Sequence, residues 1–227
     1  MLFFDPTMVI LIPGIIISLI AQYKVKSTFR AYNKRKTVNG YTGQQIARLI
    51  LDEAGLFDVP INITETELGD FYDPRNRTLT LSREVYQNST IAAAGVAAHE
   101  VGHAIQHSKS YAPLIIRNSI VPVVNFSSNL SWVILVLGLI LSISPLVKIG
   151  IILFSVTVIF QIITLPVEFD ASHRAITILK SKGILYEDEV KGASKVLTAA
   201  ALTYVAAAIT SILQLVRLLV LNNNRND

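Results

Sequence analysis

The sequence predicts a mainly α-helical, polytopic membrane protein with four transmembrane helices and a small α+β region that carries a β-hairpin. Charged residues make up only 16% of the 227 residues, whereas a soluble domain has roughly 25%. The hydrophobic residues, 52% of the total, include four runs without Asp, Glu, Lys or Arg. These runs are residues 6–23, 118–147, 149–167 and 196–216. Because a helix crosses the hydrocarbon core with about 20 apolar residues, each run is long enough to span a membrane.

The composition also excludes several classes of protein. A disordered chain needs low hydrophobicity, which this sequence does not have. The absence of cysteine excludes a disulfide scaffold and any cysteine-ligated metal site. The net charge of +4 is small, so we expect the lipid bilayer as a partner and no nucleic acid.

The first apolar run is predicted to be a retained anchor and not a signal peptide. The residues before it carry Asp5 and no Lys or Arg, whereas a signal peptide begins with a positive region. Six basic residues follow it within residues 24–36, and the region 24–118 holds 12 of the 20 Lys and Arg. Positive charge close to a span marks the inside, so we expect a multi-pass cell-membrane protein with this region in the cytoplasm.

These patterns divide the chain into five segments. The run 118–147 is too long for one simple span, so its membrane part is predicted to start near Leu130, after an interfacial lead-in from Ser119 to Asn129. The segments are a first transmembrane anchor (1–23), a cytoplasmic catalytic region (24–118), a transmembrane hairpin (119–167), a third-ligand helix with a connector (168–195) and a fourth transmembrane helix with a short tail (196–227).

The first half of the polar region 24–118 contains a helix and a hairpin signal. Thr42 and Gln45 form a capping box at the start of a helix that Gly55 ends. The turn sequence at residues 73–76 lies between two strand-like runs and predicts a β-hairpin. The second strand, Thr78 to Leu81, is either an ordinary hairpin strand or a strand that pairs with a peptide.

Cap and stop signals predict three further helices. Ser82 can cap a short helix, and Ser89 or Thr90 can cap a longer one that contains the sequence AAAGVAAHEVGHAIQH. Gly183 is expected to end the helix that leaves the third apolar run. The acids at 187–189 favour the start of the final long helix.

The candidate chemistry lies at His99-Glu100-Val101-Gly102-His103, an H-E-x-x-H sequence. Two histidines four residues apart share one helical face, so both imidazoles can reach one metal ion, and Glu100 can act as a general base. The alternative is a pair of hydrogen-bonded core histidines. The apolar, small-residue context favours the metal, because polar groups on a buried helix are costly without partners.

A catalytic zinc needs a third protein ligand, and the sequence offers two places for it. His107 continues the series on the same helix, but helix geometry turns it further around the axis. The segment 167–175, VEFDASHRA, is the other place where acids and a histidine adjoin a span, and Glu168 directly follows the third apolar run. Two spans separate this segment from His99 and His103, so both lie on the same side of the membrane.

The motifs HEVGHAIQ, YAP at 111–113, LFFDPT at 2–7 and LGDFYDPRNRTLTLS at 68–82 together resemble the YugP-like zinc-dependent membrane proteases, over nearly the whole chain. That family is similar to the HtpX-like and Ste24-like gluzincins, whose third ligand is a glutamate on a later helix. The resemblance implies a gluzincin-like catalytic region, one Zn²⁺ per chain held by His99, His103 and Glu168, Glu100 as the base, and a polypeptide substrate. The chain departs from the gluzincin pattern at Ser172, where an aspartate is usual.

The acid near this position is Asp170 instead. On a continuous helix Asp170 lies about 200° from Glu168 around the axis, so both cannot face one metal, whereas Arg174 is four residues on and can pair with Asp170. Candidates for orienting the ligands or stabilising an oxyanion are Asp170, His173, Arg174, His107 and a tyrosine. The sequence thus predicts a membrane-embedded zinc endopeptidase. The alternative is a metal-binding membrane scaffold or small transporter without hydrolysis.

Overall fold

A computed structural model of the protein describes residues 6–224 and confirms the predicted fold class. The leading residues 1–5, with Asp5, and the end of the tail, 225–227, lie outside the described residues. A 3₁₀ turn, Pro6–Leu11, leads into the first helix. The elements are α1 (Ile12–Asn33), α2 (Gly43–Glu53), β1 (Ile61–Thr64), β2 (Phe71–Asp73), β3 (Thr78–Ser82), α3 (Arg83–Gln87), α4 (Ile91–Ser108), α5 (Ala112–Ile140), α6 (Ser144–Ser181) and α7 (Glu187–Asn223).

Four helical segments are long and apolar enough to cross a membrane, as the sequence predicts: Pro6–Asn33, Ala112–Ile140, Ser144–Ser181 and Glu187–Asn223. The predicted lead-in before Leu130 is part of the continuous helix α5. Helix α6 has 38 residues and is about 57 Å long at about 1.5 Å per residue. A hydrocarbon core is only about 30 Å thick, so α6 must extend beyond the bilayer, and its polar second half includes Glu168.

The chain forms two compact units. One, here called the polar unit, comprises Tyr23–Leu114 and Val167–Leu202. The other, the apolar unit, comprises the described residues up to Gln22, Ile115–Pro166 and the described residues from Thr203 on. In the apolar unit, α5 and α6 lie close together, because a Cβ on Gly150 would meet the Leu135 side chain at 2.5 Å.

The core of the polar unit is built around α4. Its alanines are almost completely buried, among residues of α2, β3 and the second half of α6. A Cβ on Gly102 would lie 2.7 Å from the carbonyl oxygen of Ala171, so α4 and α6 are in backbone contact there. The small residues of α4 allow this approach, which brings His99 and His103 next to Glu168.

The sheet of the polar unit has the strand order β1-β3-β2. Strands β2 and β3 are antiparallel and form the predicted hairpin, and β1 runs parallel to β3. The turn is held by Asp73, whose carboxylate accepts hydrogen bonds from the Arg75 N–H at 2.9 Å and the Asn76 side chain at 2.7 Å. The possibility that Thr78–Leu81 pairs with a peptide is wrong, because β3 is the central strand and both its edges are occupied.

The predicted caps are confirmed with one exception. Thr42 and Gln45 make both bonds of the capping box at α2, Gly55 follows that helix with a φ of +74°, and Thr90 caps α4 by accepting from the Ala93 N–H at 3.2 Å. Ser82 precedes α3 but makes no side-chain cap bond. Its hydroxyl donates to Asp70 instead.

The later boundaries also follow the sequence. Gly183 adopts a φ of +61° two residues after α6 ends. Helix α7 then begins at Glu187, with three acids in its first turn.

Candidate metal centre

His99 and His103 of α4 lie next to Glu168 of α6. The Nε2 atoms of His99 and His103 are 3.4 and 3.7 Å from the Glu168 Oε2 atom. The three ligand atoms lie within 4.8 Å of one another, and no other group of three such side chains in residues 6–224 comes this close. Donor atoms of a tetrahedral zinc site, with bonds of about 2.1 Å, are about 3.4 Å apart. These three side chains therefore fit a zinc ion in both chemistry and spacing.

Hydrogen bonds at the outer ring nitrogens orient both imidazoles. The Nδ1 atom of His99 is 3.1 Å from the Ser172 hydroxyl, and the Nδ1 atom of His103 is 3.0 Å from the Gln106 Oε1 atom. Each ring therefore directs its Nε2 atom toward Glu168. Ser172 occupies the position where an aspartate was expected from the gluzincin pattern, and it contacts the candidate ligand His99 through a neutral hydroxyl.

The electrostatic environment of His103 favours a positive charge. Burial lowers the pKa of His103, but the neighbouring carboxylates of Glu168 and Glu100 outweigh the effect of burial and raise this pKa overall. All three side chains are shielded from solvent, with exposed fractions of 13%, 11% and 4% for His99, His103 and Glu168. Imidazole and carboxylate groups are ligands of divalent cations, and a bound cation would offset the free-energy cost of burying these three side chains.

Glu100 is buried beside this group but is not one of its three members. Its Oε2 atom accepts a hydrogen bond of 3.1 Å from the backbone N–H of Tyr72 in β2. Strand β2 is an edge strand, and the Tyr72 N–H is directed at Glu100 and not at β3. The outer edge of β2 therefore faces the H-E-x-x-H helix.

Asp170 points away from the three candidate ligands, as its helical position predicts. Its Oδ2 atom accepts hydrogen bonds from the Arg174 Nε–H at 2.5 Å and from the Gln106 Nε2–H at 2.7 Å. The predicted pairing with Arg174 is present, and the Arg174 guanidinium also lies 5.7 Å from the centre of the Tyr111 ring. Sequence reasoning missed Gln106, although its position three residues after His103, on the same helical face, was an available signal.

The two remaining histidines lie outside the group of three. The Nδ1 atom of His107 is 2.9 Å from the Tyr72 hydroxyl, so this residue is tied to β2. His173 is exposed on α6.

Asp70 is a further polar group near Glu100. Its Oδ1 atom accepts hydrogen bonds from the Ser82 N–H at 2.7 Å and from the Ser82 hydroxyl at 3.0 Å. Burial raises the pKa of the Asp70 carboxyl from 3.8 to about 6, and the negative charge of Glu100 also raises it. The folded protein therefore holds a proton on Asp70 at a pH where the unfolded chain has lost it.

This raised pKa predicts a pH-dependent stability. Between about pH 4 and pH 6 the folded state binds more protons at Asp70 than the unfolded state does, so this residue's contribution to the unfolding free energy falls as pH rises. The total loss is at most about 3 kcal/mol, at about 1.4 kcal/mol per pKa unit. Asp70→Asn keeps the acceptor for Ser82 but cannot ionise. We expect its melting temperature in detergent, measured relative to wild type, to increase from pH 4 to pH 7. A difference that does not change with pH would contradict the assignment.

Two comparisons relate the chain to known proteins. The sequence profile of a family described as "Putative neutral zinc metallopeptidase" matches residues 7–223. The chain is also 48% identical over 211 residues to "Putative membrane protease YugP" of Bacillus subtilis (strain 168), covering 93% of this chain and 94% of that protein. No solved structure matches the chain.

Proposed function

We propose that the chain, which belongs to the neutral zinc metallopeptidase family, is a membrane-embedded zinc-dependent endopeptidase that hydrolyses peptide bonds. The observation that carries the proposal is the group formed by His99, His103 and Glu168, with Glu100 on the same helix as the two histidines. A metal-binding site made of three protein ligands leaves a fourth position open, as catalytic zinc sites do. Membrane-associated or unfolded proteins are the proposed substrates.

In this mechanism the Nε2 atoms of His99 and His103 and the carboxylate of Glu168 hold one zinc ion. When bound, zinc polarises the scissile carbonyl and lowers the pKa of water to about 7. Glu100 takes a proton from the attacking water and delivers it to the nitrogen of the leaving amine as the C–N bond breaks. The hydrogen bond from the Tyr72 N–H holds the Glu100 carboxylate in place for both transfers.

The outer edge of β2 is the proposed place for the polypeptide. An extended peptide can pair with an edge strand through main-chain hydrogen bonds, and β2 is the edge strand next to Glu100. The Tyr72 N–H is already bonded to Glu100, so the peptide would pair with other main-chain groups of β2. A peptide lying there would place its scissile bond beside the base. The candidates for stabilising the oxyanion are His107, His173, Arg174 and a tyrosine. The Tyr72 hydroxyl and His107 are hydrogen-bonded to each other, so these two residues are the first to substitute.

Hydrolysis of an unstructured polypeptide by the purified full-length protein in detergent, with and without a chelator, tests the proposal. A zinc endopeptidase cleaves the polypeptide, loses activity with chelator and regains it with added zinc. A metal-binding scaffold or small transporter leaves the polypeptide intact under all three conditions.

The polar unit is proposed to face the cytoplasm, because residues 24–118 carry 12 Lys and Arg, whereas Lys148 alone lies between the second and third apolar runs.

The chain has no cysteine, so single cysteines report topology without background. A cysteine at Asn76, in the exposed hairpin turn, should resist a membrane-impermeant thiol reagent in intact cells. One at Asn223, the last residue of α7 and beyond the fourth apolar run, should react. Strong labelling at position 76 with none at 223 would reverse the orientation.

A further inference from the structure

We infer that Gln106, supported by Asp170, is a positioning residue that fixes the proton of His103 on Nδ1 and keeps the Nε2 lone pair directed at the metal position. The inference rests on the proposed metal site and deepens it. It concerns how tightly the chain holds the ion, and so it can be tested without measuring hydrolysis.

The orientation of the Gln106 amide follows from its partners. Gln106 is completely buried, with an exposed fraction of 0%. One end of its amide lies 2.9 Å from the backbone oxygen of Val167 and 2.7 Å from the Asp170 Oδ2 atom. A backbone carbonyl and a carboxylate only accept hydrogen bonds, so the NH₂ group must be at this end and uses both of its hydrogens there.

The tautomer of His103 then follows. The other end of the amide is the carbonyl oxygen Oε1, which lies 3.0 Å from the Nδ1 atom of His103. A carbonyl oxygen cannot donate, so Nδ1 must carry the proton. The Nε2 atom of a neutral His103 is consequently deprotonated, and it faces Glu168 with a lone pair, as a metal ligand must.

The hydrogen bonds from Gln106 and Arg174 converge on the carboxylate of Asp170. Arg174 donates to Asp170, and Asp170 accepts from Gln106. A carboxylate that accepts from the amide NH₂ polarises the amide and makes its oxygen a stronger acceptor. A stronger acceptor at Nδ1 makes the opposite nitrogen of a ligand histidine more basic. Asp170 therefore acts on His103 through Gln106 and not by direct contact.

Gln106 also connects the two helices that carry the candidate ligands. Its bond to the Val167 carbonyl attaches α4 to the residue immediately before Glu168. One buried side chain thus contacts a ligand histidine and the backbone beside the ligand carboxylate. His99 has a weaker arrangement, because the Ser172 hydroxyl at its Nδ1 can either donate or accept and does not select a tautomer.

The test measures zinc affinity of the full-length protein in detergent by competition with a chromogenic chelator. Gln106→Met removes the acceptor at roughly constant volume and should weaken zinc binding about 10–100-fold, the range typical of groups that orient metal ligands. Gln214→Met is the matched control, because Gln214 is also buried but lies on α7 in the apolar unit. It should bind zinc as wild type does.

A charge exchange separates positioning from a general loss of structure. Gln106→Glu alone places a carboxylate against Asp170 and should weaken zinc binding. Adding Asp170→Asn supplies an NH₂ group to the new carboxylate, which can still accept from His103, and should restore part of the lost affinity. Wild-type affinity in folded Gln106→Met, or no recovery in the double variant relative to Gln106→Glu, would overturn the inference.

The outcomes for the two proposals are distinct. Tight zinc binding by wild type without hydrolysis would contradict the peptidase function and leave the role of Gln106 standing. Equal zinc affinity of wild type and Gln106→Met, with hydrolysis intact, would remove the role of Gln106 and leave the peptidase standing.

Discussion

Glu100→Gln is expected to abolish hydrolysis of an unstructured polypeptide while the protein keeps its zinc. The carboxylate of Glu100 is not among the three candidate ligand groups, and in the proposed mechanism it is the base that accepts the proton of water. A positioned general acid–base group contributes about 10²–10⁴-fold to a rate, so the loss should reach at least this size. Glutamine retains an oxygen that can accept from the Tyr72 N–H, and the fold should not change.

Zinc content and turnover are measured on the same preparation of Glu100→Gln. Wild-type protein treated with chelator is the control for loss of metal, and it should regain activity when zinc is added, whereas the variant should not. Wild-type turnover by Glu100→Gln would falsify the peptidase mechanism. Loss of the metal from this variant would instead make Glu100 part of the metal site.

Glu168→Gln is expected to lower zinc occupancy sharply, whereas Asp170→Asn should leave zinc bound. Glu168 lies 3.4 and 3.7 Å from the two Nε2 atoms, and its neutral amide analogue loses the charge that the ion needs. Asp170 is separated from His103 by Gln106. Its replacement should weaken affinity or rate by no more than about 10–100-fold, and zinc should remain at stoichiometric protein concentrations.

Metal content of the two variants, purified side by side, decides the assignment. The pair is well matched, because both changes replace a carboxylate by its amide within one turn of α6. An empty site in Asp170→Asn together with a full site in Glu168→Gln would show that the ligand is misassigned.

Most of the fold was predictable because its signals are local. Uncharged runs mark the four long helices, the capping box of Thr42 and Gln45 marks the start of α2, and Gly183 marks the end of α6. The hairpin was predictable from the turn at residues 73–76. The parallel pairing of β1 with β3 could not be predicted, because two strands that are not joined by a hairpin become neighbours only through the tertiary fold. This pairing makes β3 the central strand.

The candidate site shows the same division between local and non-local information. The four-residue spacing of His99 and His103 places both on one helical face, and the angle of about 200° separates Asp170 from Glu168. Gln106 was missed because its partners Val167 and Asp170 are 61 and 64 residues away. Ser82 was predicted to be a cap, but its hydroxyl donates to Asp70, because the fold brings this carboxyl, 12 residues earlier in the chain, next to it.

Zinc stoichiometry of the purified full-length protein tests the central claim most directly. Elemental analysis should find one zinc per chain in wild type and little or none in His99→Ala and His103→Ala, because each variant removes one of the three proposed protein ligands. The two variants should still elute from size-exclusion chromatography as wild type does. Wild-type protein that binds no zinc when zinc is supplied, or histidine variants that retain a full equivalent, would contradict the account.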